Sequence, residues 1–211
     1  MIAIVDYGMG NLGSIRNMLS RIGVESVITC DPRVIESAQR IILPGVGAFD
    51  LAMQNLRSRE LVPVLNARVL EQRVPVLGIC LGMQLFSSAS DEGTLPGLGW
   101  IDARAVRFDF PNDGMKRRLP HMGWNTITVH QSSELLDNRY EESRYYFVHT
   151  YHVRCADPRC VLASTDYEGV EFHSAVGCGN IMGTQFHPEK SHKYGMRLLE
   201  NFVKIGERVA T

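Results

Sequence analysis

The sequence has no long apolar run and no excess of charge of either sign. No apolar stretch approaches the roughly 20 residues that a membrane-spanning helix needs. Among the 211 residues, 22 lysines and arginines face 23 aspartates and glutamates, which gives a formal net charge of −1. This balance offers no electrostatic basis for binding a nucleic acid or a membrane surface. We therefore expect neither kind of partner.

The cysteines show no regular spacing. The chain has five cysteines and no C-x-x-C spacing, which argues against a disulfide framework and against a zinc site. Residues 1–5 are apolar, but no basic segment precedes them and Asp6 follows, unlike a secretion signal. We expect a cytoplasmic protein whose thiols stay reduced. The cysteines are Cys30, Cys80, Cys155, Cys160 and Cys178.

The first half of the chain alternates short apolar runs with helical periods. Such alternation predicts a mostly parallel sheet that is covered by helices on both faces. The predicted elements are a strand over residues 2–5, a helix over 12–22, strands over 24–29 and 40–43, a helical stretch over 49–72 that breaks near Pro63, and a strand that runs into Cys80.

The second half of the chain has a different pattern of predicted elements, in which short strands follow one another with few helices between them. We expect these strands to be antiparallel or mixed and to extend the edge of the first sheet. A charged stretch over residues 109–118 is the best candidate for a mobile loop. Residues 1–211 are thus predicted to form one α/β domain. The predicted elements here are strands over 106–108, 125–130, 144–154, 160–165, 170–176 and 181–186, and a closing helix over 197–205.

One cysteine lies in a pattern that is typical of a nucleophile. Gly78-x-Cys80-x-Gly82 follows a buried strand and opens a helix, as in a nucleophile elbow. Glycines are needed there because a Cβ at either position would crowd the neighbouring strand or helix. A helix N-terminus beside Cys80 would favour the thiolate over the thiol. The alternative is a buried cysteine with a purely structural role.

A base for that cysteine is available near the end of the chain. In the stretch Gln185-Phe-His-Pro-Glu189, the proline biases His187 toward extended geometry. Side chains two residues apart on an extended chain point to the same side, so Glu189 reaches one imidazole nitrogen while the other faces the nucleophile. Cys80, His187 and Glu189 are therefore the predicted catalytic triad. The remaining histidines are predicted to be surface or hydrogen-bonded residues: His121, His130, His149, His152, His173 and His192.

A second motif points to a different chemistry. The stretch Gly8-x-Gly10-x-x-Gly13 follows a strand and opens a helix, and Asp31 lies at a suitable distance for the dinucleotide-binding fingerprint. In that fingerprint the first glycine directly follows the strand, whereas Asp6 and Tyr7 intervene here. Glycines would serve any tight strand-to-helix turn equally well. An NAD-dependent enzyme is therefore a rival interpretation, which an NAD titration decides.

Three motifs together resemble the signatures of triad-type (class I) glutamine amidotransferases. They are residues 44–47, residues 78–84 and residues 185–189. Three further stretches resemble the glutaminase subunits of imidazole glycerol phosphate synthase, an enzyme of histidine biosynthesis: residues 6–12, 119–125 and 146–151. The similarity covers nearly the whole chain and departs at no triad position. It implies a flavodoxin-like fold that needs no cofactor and no metal.

The resemblance implies a mechanism. Cys80 attacks the side-chain amide of glutamine and forms a γ-glutamyl thioester, while His187 carries protons and Glu189 orients it. The two oxyanion donors are expected from Leu81, which follows the nucleophile, and from the loop that holds Val46 and Gly47. Glycines let a peptide plane turn cheaply. We therefore hypothesise that this loop completes the oxyanion hole only when a partner is bound.

Substrate and partner contacts follow from the same resemblance. It nominates Gly47, Gln84 and Glu92, and the backbone of Thr150 and Tyr151, to hold glutamine. A plain helix residue is the alternative for Gln84 and a solvated loop charge is the alternative for Glu92.

A separate (β/α)8-barrel cyclase subunit is the implied partner, and it receives ammonia through a sheltered channel in a heterodimer. The positions expected at that interface are Asn11, Trp124, Tyr146 and Lys190.

Three other functions stay open on the sequence. A duplicated copy of such a subunit would supply ammonia for amidating a surface-polysaccharide sugar, and the motifs do not separate it from the histidine pathway. A catalytically idle binding subunit would not need an intact triad. A cysteine hydrolase of another amide would share the elbow but would have no use for the motifs around Trp124 and Tyr146.

Overall fold

The fold is described by a computed structural model that covers residues 1–137, 140 and 142–205. The strands are β1 (Ile2–Val5), β2 (Ser26–Thr29), β3 (Arg40–Gly45), β4 (Val76–Cys80), β5 (Ala89–Ser90), β6 (Ala103–Arg107), β7 (His121–Thr126), β8 (Thr128–Val129), β9 (Arg144–His149), β10 (Tyr151–Cys155), β11 (Val161–Tyr167), β12 (Val170–Cys178) and β13 (Ile181–Thr184). The α-helices are α1 (Leu12–Arg21), α2 (Pro32–Ser37), α3 (Phe49–Ser58), α4 (Leu61–Asn66), α5 (Leu81–Gln84) and α6 (His192–Lys204). A π-helical turn over Ala67–Glu71 extends α4, and 3₁₀ turns lie at Pro158–Cys160 and Pro188–Lys190.

One large sheet forms the centre of the fold. Its strands lie in the order β2-β1-β3-β4-β13-β12-β10-β6-β5. The strands from β2 to β13 are parallel, and β12, β10 and β6 continue the sheet in antiparallel pairs. β11 and β8 branch from β12, whereas β7 and β9 pair in a separate antiparallel ribbon. The predicted α/β class, with a parallel centre and an antiparallel extension, is confirmed.

Helices cover both faces of the parallel strands. Successive side chains of a strand point to opposite faces. In β1, Ile2 and Ile4 therefore pack into the core beneath α1 and α6, whereas Ala3 and Val5 pack into the core beneath α2, α3 and α4. Burial on both faces explains why these strands are apolar throughout. Within the described part of the chain, no helix combines the length and apolarity that crossing a membrane requires.

The predicted helical stretch over 49–72 is interrupted shortly before Pro63. α3 ends at Ser58 and α4 begins at Leu61, and Glu60 between them has a left-handed φ of +56°. Pro63 lies in the first turn of α4, where its missing N–H removes no intrahelical bond. The predicted break is therefore present, and it lies three residues before Pro63.

The predicted strand over 144–154 is two strands that belong to different sheets. β9 pairs with β7, but β10 pairs with β6 and β12 in the main sheet, and the chain crosses between them at Thr150. The sequence shows one continuous β-like run because aromatic and β-branched residues continue across Thr150. The crossing brings the ribbon over the carboxyl ends of the parallel strands.

A disulfide joins Cys160 and Cys178, with their Cα atoms 5.2 Å apart. The expectation that all the thiols are free is wrong for this pair. The two residues lie at the ends of β11 and β12, whose antiparallel pairing brings distant positions together. Cys178 pairs with Ile181, and Ile181 pairs with the first residue of β4, so the disulfide lies at the opposite end of the sheet from Cys80.

The stretch over 109–118 is irregular, as expected, but it contains an anchor. Arg117 pairs with Asp113 at 2.6 Å and donates to the backbone carbonyls of Pro111 and Glu168. The Arg117 side chain is 6% exposed and that of Asp113 is 36% exposed. The mobility of the stretch stays a prediction.

The glycines of the elbow are packed as the sequence predicts. A Cβ added at Gly78 would lie 2.7 Å from the backbone nitrogen of Met83, and one added at Gly82 would overlap the carbonyl oxygen of Leu43. Both obstacles are backbone atoms that cannot rotate away. The elbow thus brings β3, β4 and α5 closer together than any residue with a side chain permits.

We expect Gly82→Ala to destabilise the fold by about 3 kcal/mol, because the methyl group forces β3 and α5 apart. Gly13→Ala is the control, since an added Cβ meets nothing within 4 Å in the first turn of α1. That substitution should leave the free energy of unfolding unchanged or raise it by up to about 1 kcal/mol. Urea denaturation measures both. Equal stability of the two variants would contradict the close packing described for the elbow.

Candidate active site

Cys80 lies at the carboxyl end of β4, in the middle of the parallel sheet. Its backbone has φ +54° and ψ −110°, a combination that a residue with a side chain rarely adopts and that costs about 1–3 kcal/mol. The helix that follows is the single turn α5, so it offers the cysteine free N–H groups and only a short dipole. The Cys80 Sγ lies 3.9 Å from the Val148 carbonyl oxygen and 3.6 Å from the Gln185 amide nitrogen.

His187 and Glu189 lie beyond the end of β13, the strand next to β4. Pro188 leaves His187 extended, with φ −100° and ψ 98°. The His187 Nδ1 and the Glu189 Oε1 are 2.7 Å apart, and the two side chains are 1% and 2% exposed. Ser191 fixes the backbone, because its hydroxyl donates to the His187 carbonyl and accepts from the Tyr146 N–H. The imidazole is therefore held in one orientation.

The second nitrogen of His187 is left for Cys80. Nε2 is buried and makes no hydrogen bond to any residue that the structure describes. Burial by itself lowers the pKa of His187, but the negative charge of a Cys80 thiolate and then that of Glu189 outweigh it and raise the pKa to about 10. The structure thus favours a protonated imidazole at His187, beside the sulfur of Cys80.

A cavity of about 180 Å³ opens beside Cys80. It is smaller than the roughly 300–1,000 Å³ of drug-sized sites, and it suits one amino acid. A larger hollow of about 1150 Å³ lies between residues 126–137, 140, 142 and 143 and helix α6, but no predicted catalytic residue is among those that line it. The smaller cavity is lined by Val46, Gly47, Cys80, Leu81, Gln84, Glu92, Pro120, Val148, His149, Thr150 and Tyr151. The structure therefore brings together every residue predicted for the oxyanion hole and for substrate binding.

Gln84 is buried, so it is not the plain helix residue of the alternative interpretation. Its amide nitrogen donates to the Tyr151 carbonyl at 2.9 Å and to the Gln185 Oε1 at 3.1 Å. Both partners are carbonyl oxygens, which can only accept. The nitrogen of the Gln84 amide must therefore face them, which fixes the orientation of the amide. Only the Gln84 Oε1 is left for a ligand.

Glu92 has a structural partner in addition to its place at the cavity. Its Oε2 accepts the Phe49 N–H at 2.9 Å, at the N-terminus of α3. Ala48, which precedes α3, has no side chain able to cap the helix, so Glu92 supplies the cap from another loop. Glu92 is exposed but bonded, and its second oxygen is available to a ligand.

Comparison with known proteins decides the family. Residues 3–205 match the model of the family described as glutamine amidotransferase class-I. The chain belongs to the class I glutamine amidotransferases.

Two relatives within this family are identical to the chain at about half of the aligned positions. The chain is 53% identical to "Imidazole glycerol phosphate synthase subunit HisH 2" of Methanococcus maripaludis, over 97% of this chain and 99% of that protein. It is 48% identical to the protein of the same name from Pseudomonas aeruginosa, over 97% and 100% of the two chains. A crystal structure of a glutamine amidotransferase superposes with a TM-score of 0.75 at 20% identity, over 97% and 98% of the two chains, and supports the fold. The chain is thus a member of the HisH group of class I amidotransferases.

Three of the four predicted partner positions form one surface patch. The Lys190 ammonium lies 5.5 Å from the centre of the Tyr146 ring, and the Trp124 ring lies 6.3 Å from it. Trp124 also stacks on His192 and is 46% exposed, so it is not an ordinary core residue. Asn11 precedes α1, which contacts the turn at Pro188–Lys190. We call Trp124, Tyr146 and Lys190 the aromatic patch.

Three residues of the amidotransferase site were not singled out from the sequence. The Gln185 amide nitrogen donates toward the Cys80 Sγ at 3.6 Å. Side chains two residues apart on an extended chain point to the same side, so the argument that pairs Glu189 with His187 applies equally to Gln185, two residues before His187. Tyr7 is buried and donates to the Pro44 carbonyl at 2.6 Å, while burial and then Cys80 hold the pKa of Tyr7 far above its usual range. The hydroxyl stays protonated and anchors the end of β3 beside the loop of Val46 and Gly47. Val148 offers only a backbone carbonyl, which no sequence pattern marks.

The geometry of residues 8–13 argues against dinucleotide binding. In the fingerprint, the third glycine permits close packing of helix on strand. An added Cβ at Gly13 meets nothing within 4 Å, whereas one at Gly10 would lie 3.3 Å from the backbone nitrogen of Gly45. The glycines therefore serve the turn and its close approach to the end of β3.

Proposed function

We propose that this chain is the glutaminase subunit of an imidazole glycerol phosphate synthase. It hydrolyses L-glutamine to glutamate and ammonia and delivers the ammonia to a separate cyclase subunit. The observation that carries this proposal is the Cys80–His187–Glu189 array at a cavity sized for one amino acid. The names of the relatives support histidine biosynthesis over the amidation of a surface polysaccharide.

In the first half of the reaction, the Cys80 thiolate adds to the side-chain carbonyl of glutamine. The C–N bond then breaks as the imidazolium of His187 protonates the departing nitrogen, so ammonia leaves and a γ-glutamyl thioester remains. In the second half, His187 takes a proton from water, and the hydroxide adds to the thioester. Glutamate leaves, and the thiolate is restored. Glu189 keeps Nδ1 protonated throughout, so that Nε2 carries every transfer.

Two backbone N–H groups would stabilise the oxyanion that forms in each half. The first is that of Leu81, the first residue of α5, where a helix leaves its N–H groups without intrahelical partners. The second comes from the loop of Val46 and Gly47, which is exposed and has a φ of +127° at Gly47. We propose that docking of the cyclase sets the orientation of this loop. Tyr7 would hold the adjoining Pro44 carbonyl still while the loop turns.

Recognition of glutamine rests on groups around the cavity. Since both N–H groups of Gln84 are occupied, its Oε1 would accept from the α-ammonium group of the substrate. The free oxygen of Glu92 would add a second acceptor. The backbone of Thr150 and Tyr151 would bind the other side, together with the Gly47 loop.

The aromatic patch is the proposed docking site for a (β/α)8-barrel cyclase. It lies on the outer face of the ribbon, where Trp124 pairs with Tyr146 and Met122 pairs with Val148. Val148 also lines the glutamine cavity, so the cavity and the docking face adjoin and ammonia has a short path between them. We further propose that residues 1–211 act as one glutaminase domain, in the cytoplasm where amino acids are made.

Glutamine hydrolysis by the full chain, alone and with a histidine-pathway cyclase and its nucleotide ligand, tests this proposal. We expect slow release of glutamate by the chain alone and a large stimulation in the complex. No stimulation by that cyclase, from a chain that still hydrolyses glutamine, would point to another ammonia acceptor. No hydrolysis under either condition would reject the glutaminase function.

We expect Trp124→Ala to weaken binding of the cyclase by about 30-fold, because an aromatic anchor at the centre of an interface typically contributes about 2 kcal/mol. Leu70→Ala is the matched control, since both side chains are 46% exposed but Leu70 lies in the π-helical turn away from the patch. Calorimetric titration with the cyclase measures both affinities. Equal affinities for the two variants would remove the patch from the interface.

A further inference from the structure

Two buried histidines face each other across the ribbon. His121 of β7 and His149 of β9 are direct cross-strand partners, 3% and 5% exposed. The His121 Nδ1 and the His149 Nε2 are 3.0 Å apart. Burial lowers the pKa of His121 to about 4, and burial together with His121 holds the pKa of His149 well below its usual range. Both rings are therefore neutral at physiological pH, and each carries one proton.

The positions of those two protons are fixed by a backbone carbonyl. The His149 Nδ1 lies 2.9 Å from the Tyr151 carbonyl oxygen, which only accepts, so Nδ1 carries the proton. The His149 Nε2 is then an acceptor, and the His121 Nδ1 must donate to it. The His121 Nε2 is left as an acceptor for the Asn125 amide at 3.4 Å. Asn125 thus donates to His121, His121 donates to His149, and His149 donates to the Tyr151 carbonyl.

The Tyr151 carbonyl joins this pair to the catalytic cysteine. It accepts from His149 on one side and from Gln84 on the other. Gln84 also donates to Gln185, and the Gln185 amide nitrogen lies 3.6 Å from the Cys80 Sγ. Tyr151 and Gln84 line the glutamine cavity, so their positions decide where the substrate lies relative to the sulfur.

We propose that His121 and His149 are positioning residues for glutamine hydrolysis: as a neutral hydrogen-bonded pair with fixed tautomers, they hold the Tyr151 carbonyl that orders the substrate side of the cavity. This role rests on the proposed glutaminase function. Neither histidine acts as an acid or a base in it. If His121 could not donate, His149 would be free to move its proton to Nε2, and its bare Nδ1 would then repel the Tyr151 oxygen.

A neighbouring histidine shows that burial among aromatic rings does not require such a pair. His152 is also buried, packs 4.8 Å from the Phe108 ring, and has its pKa lowered to about 4 by burial. Its Nδ1 makes no hydrogen bond to the residues that the structure describes. His152 therefore shares the packing of His121 and lacks the connection to the cavity, which makes it a matched control.

The tautomers are tested on the unaltered full chain by long-range ¹H–¹⁵N correlation of the imidazole rings. We expect His121 and His149 both to be protonated at Nδ1 and to stay neutral from pH 6 to pH 8. A His149 ring protonated at Nε2 would overturn the proposal. This measurement does not depend on catalytic activity.

The positioning role is tested in the complex with the cyclase by two substitutions of His121. His121→Phe keeps the stacking on Phe147 and Tyr167 but loses the donor, and it should lower kcat/KM for glutamine at least about tenfold, chiefly through KM. His121→Asn places an amide N–H near the position of Nδ1 and should restore most of that loss. His152→Phe should leave kcat/KM within about twofold of the unaltered chain.

The outcomes separate this inference from the proposed function. If the unaltered chain hydrolyses glutamine and His121→Phe is no worse than His152→Phe, the positioning role is wrong and the glutaminase function stands. If His121→Asn is as impaired as His121→Phe, loss of packing and not of the donor is responsible, and the role is again wrong. If the unaltered chain releases no glutamate, the glutaminase function itself fails.

Discussion

Cys80→Ala is expected to reduce glutamine hydrolysis by at least about 10,000-fold, because removing the nucleophile removes the covalent route. The fold should be unaffected. The strained backbone at Cys80 disfavours alanine as much as cysteine, and alanine fits the same space with only the sulfur missing. Release of glutamate, measured in the complex with the cyclase, gives the rate. Thermal unfolding shows whether the variant is intact.

Labelling distinguishes Cys80 from the other free thiols. Cys30 is exposed and Cys155 is buried, and burial raises the pKa of Cys155 to about 12, so that thiol is inert. A chloroketone analogue of glutamine should alkylate Cys80 alone, although Cys30 is more open to solvent. Cys155→Ala should retain full activity. Modification of Cys30 in place of Cys80, or activity that survives Cys80→Ala, would reject the predicted nucleophile.

Glu189→Gln is expected to lower kcat by about 1,000- to 10,000-fold with little change in stability. The substitution keeps the shape of the side chain but removes the carboxylate that accepts from the His187 Nδ1 at 2.7 Å. An amide can turn its own N–H groups toward the ring, which would leave the proton on the wrong nitrogen. Single-turnover formation of the thioester measures the effect on chemistry directly. A loss smaller than about tenfold would show that Glu189 does not orient the base.

The same variant should shift the pH dependence in a defined direction. His187 must be protonated to release ammonia, so activity is lost as the pH rises through its pKa of about 10. The charge of Glu189 is among the causes that raise this pKa, so removing it moves the alkaline limb of the profile to lower pH. An unchanged limb in Glu189→Gln would contradict the electrostatic role assigned to the carboxylate.

Local chemistry explains why the triad could be predicted. The elbow glycines, the proline after His187 and the two-residue spacing to Glu189 are each short-range constraints that act wherever the chain goes. The structure places all three side chains as that reasoning requires. The same constraints do not identify Tyr151 or Val148. These residues contribute backbone carbonyls to the site, and a backbone carbonyl is present whatever the side chain.

Errors in the sequence predictions come from pairings between distant segments. The run over 144–154 was predicted as one strand because nothing local marks Thr150 as the point where the chain changes sheets. Cys160 and Cys178 meet because β11 and β12 pair, and their spacing carries no sign of it.

The sequence by itself determined the α/β class, the elbow, the predicted triad and the apolar strands that two covered faces demand, since each follows from the period or the spacing of a few neighbouring residues. The tertiary structure alone decided what those parts do together. It brings the ribbon over the ends of the parallel strands, closes a cavity of about 180 Å³ around Cys80, and turns two scattered histidines into one hydrogen-bonded pair. These arrangements depend on contacts between segments far apart in the chain, and their geometry is set by the packing of the whole sheet.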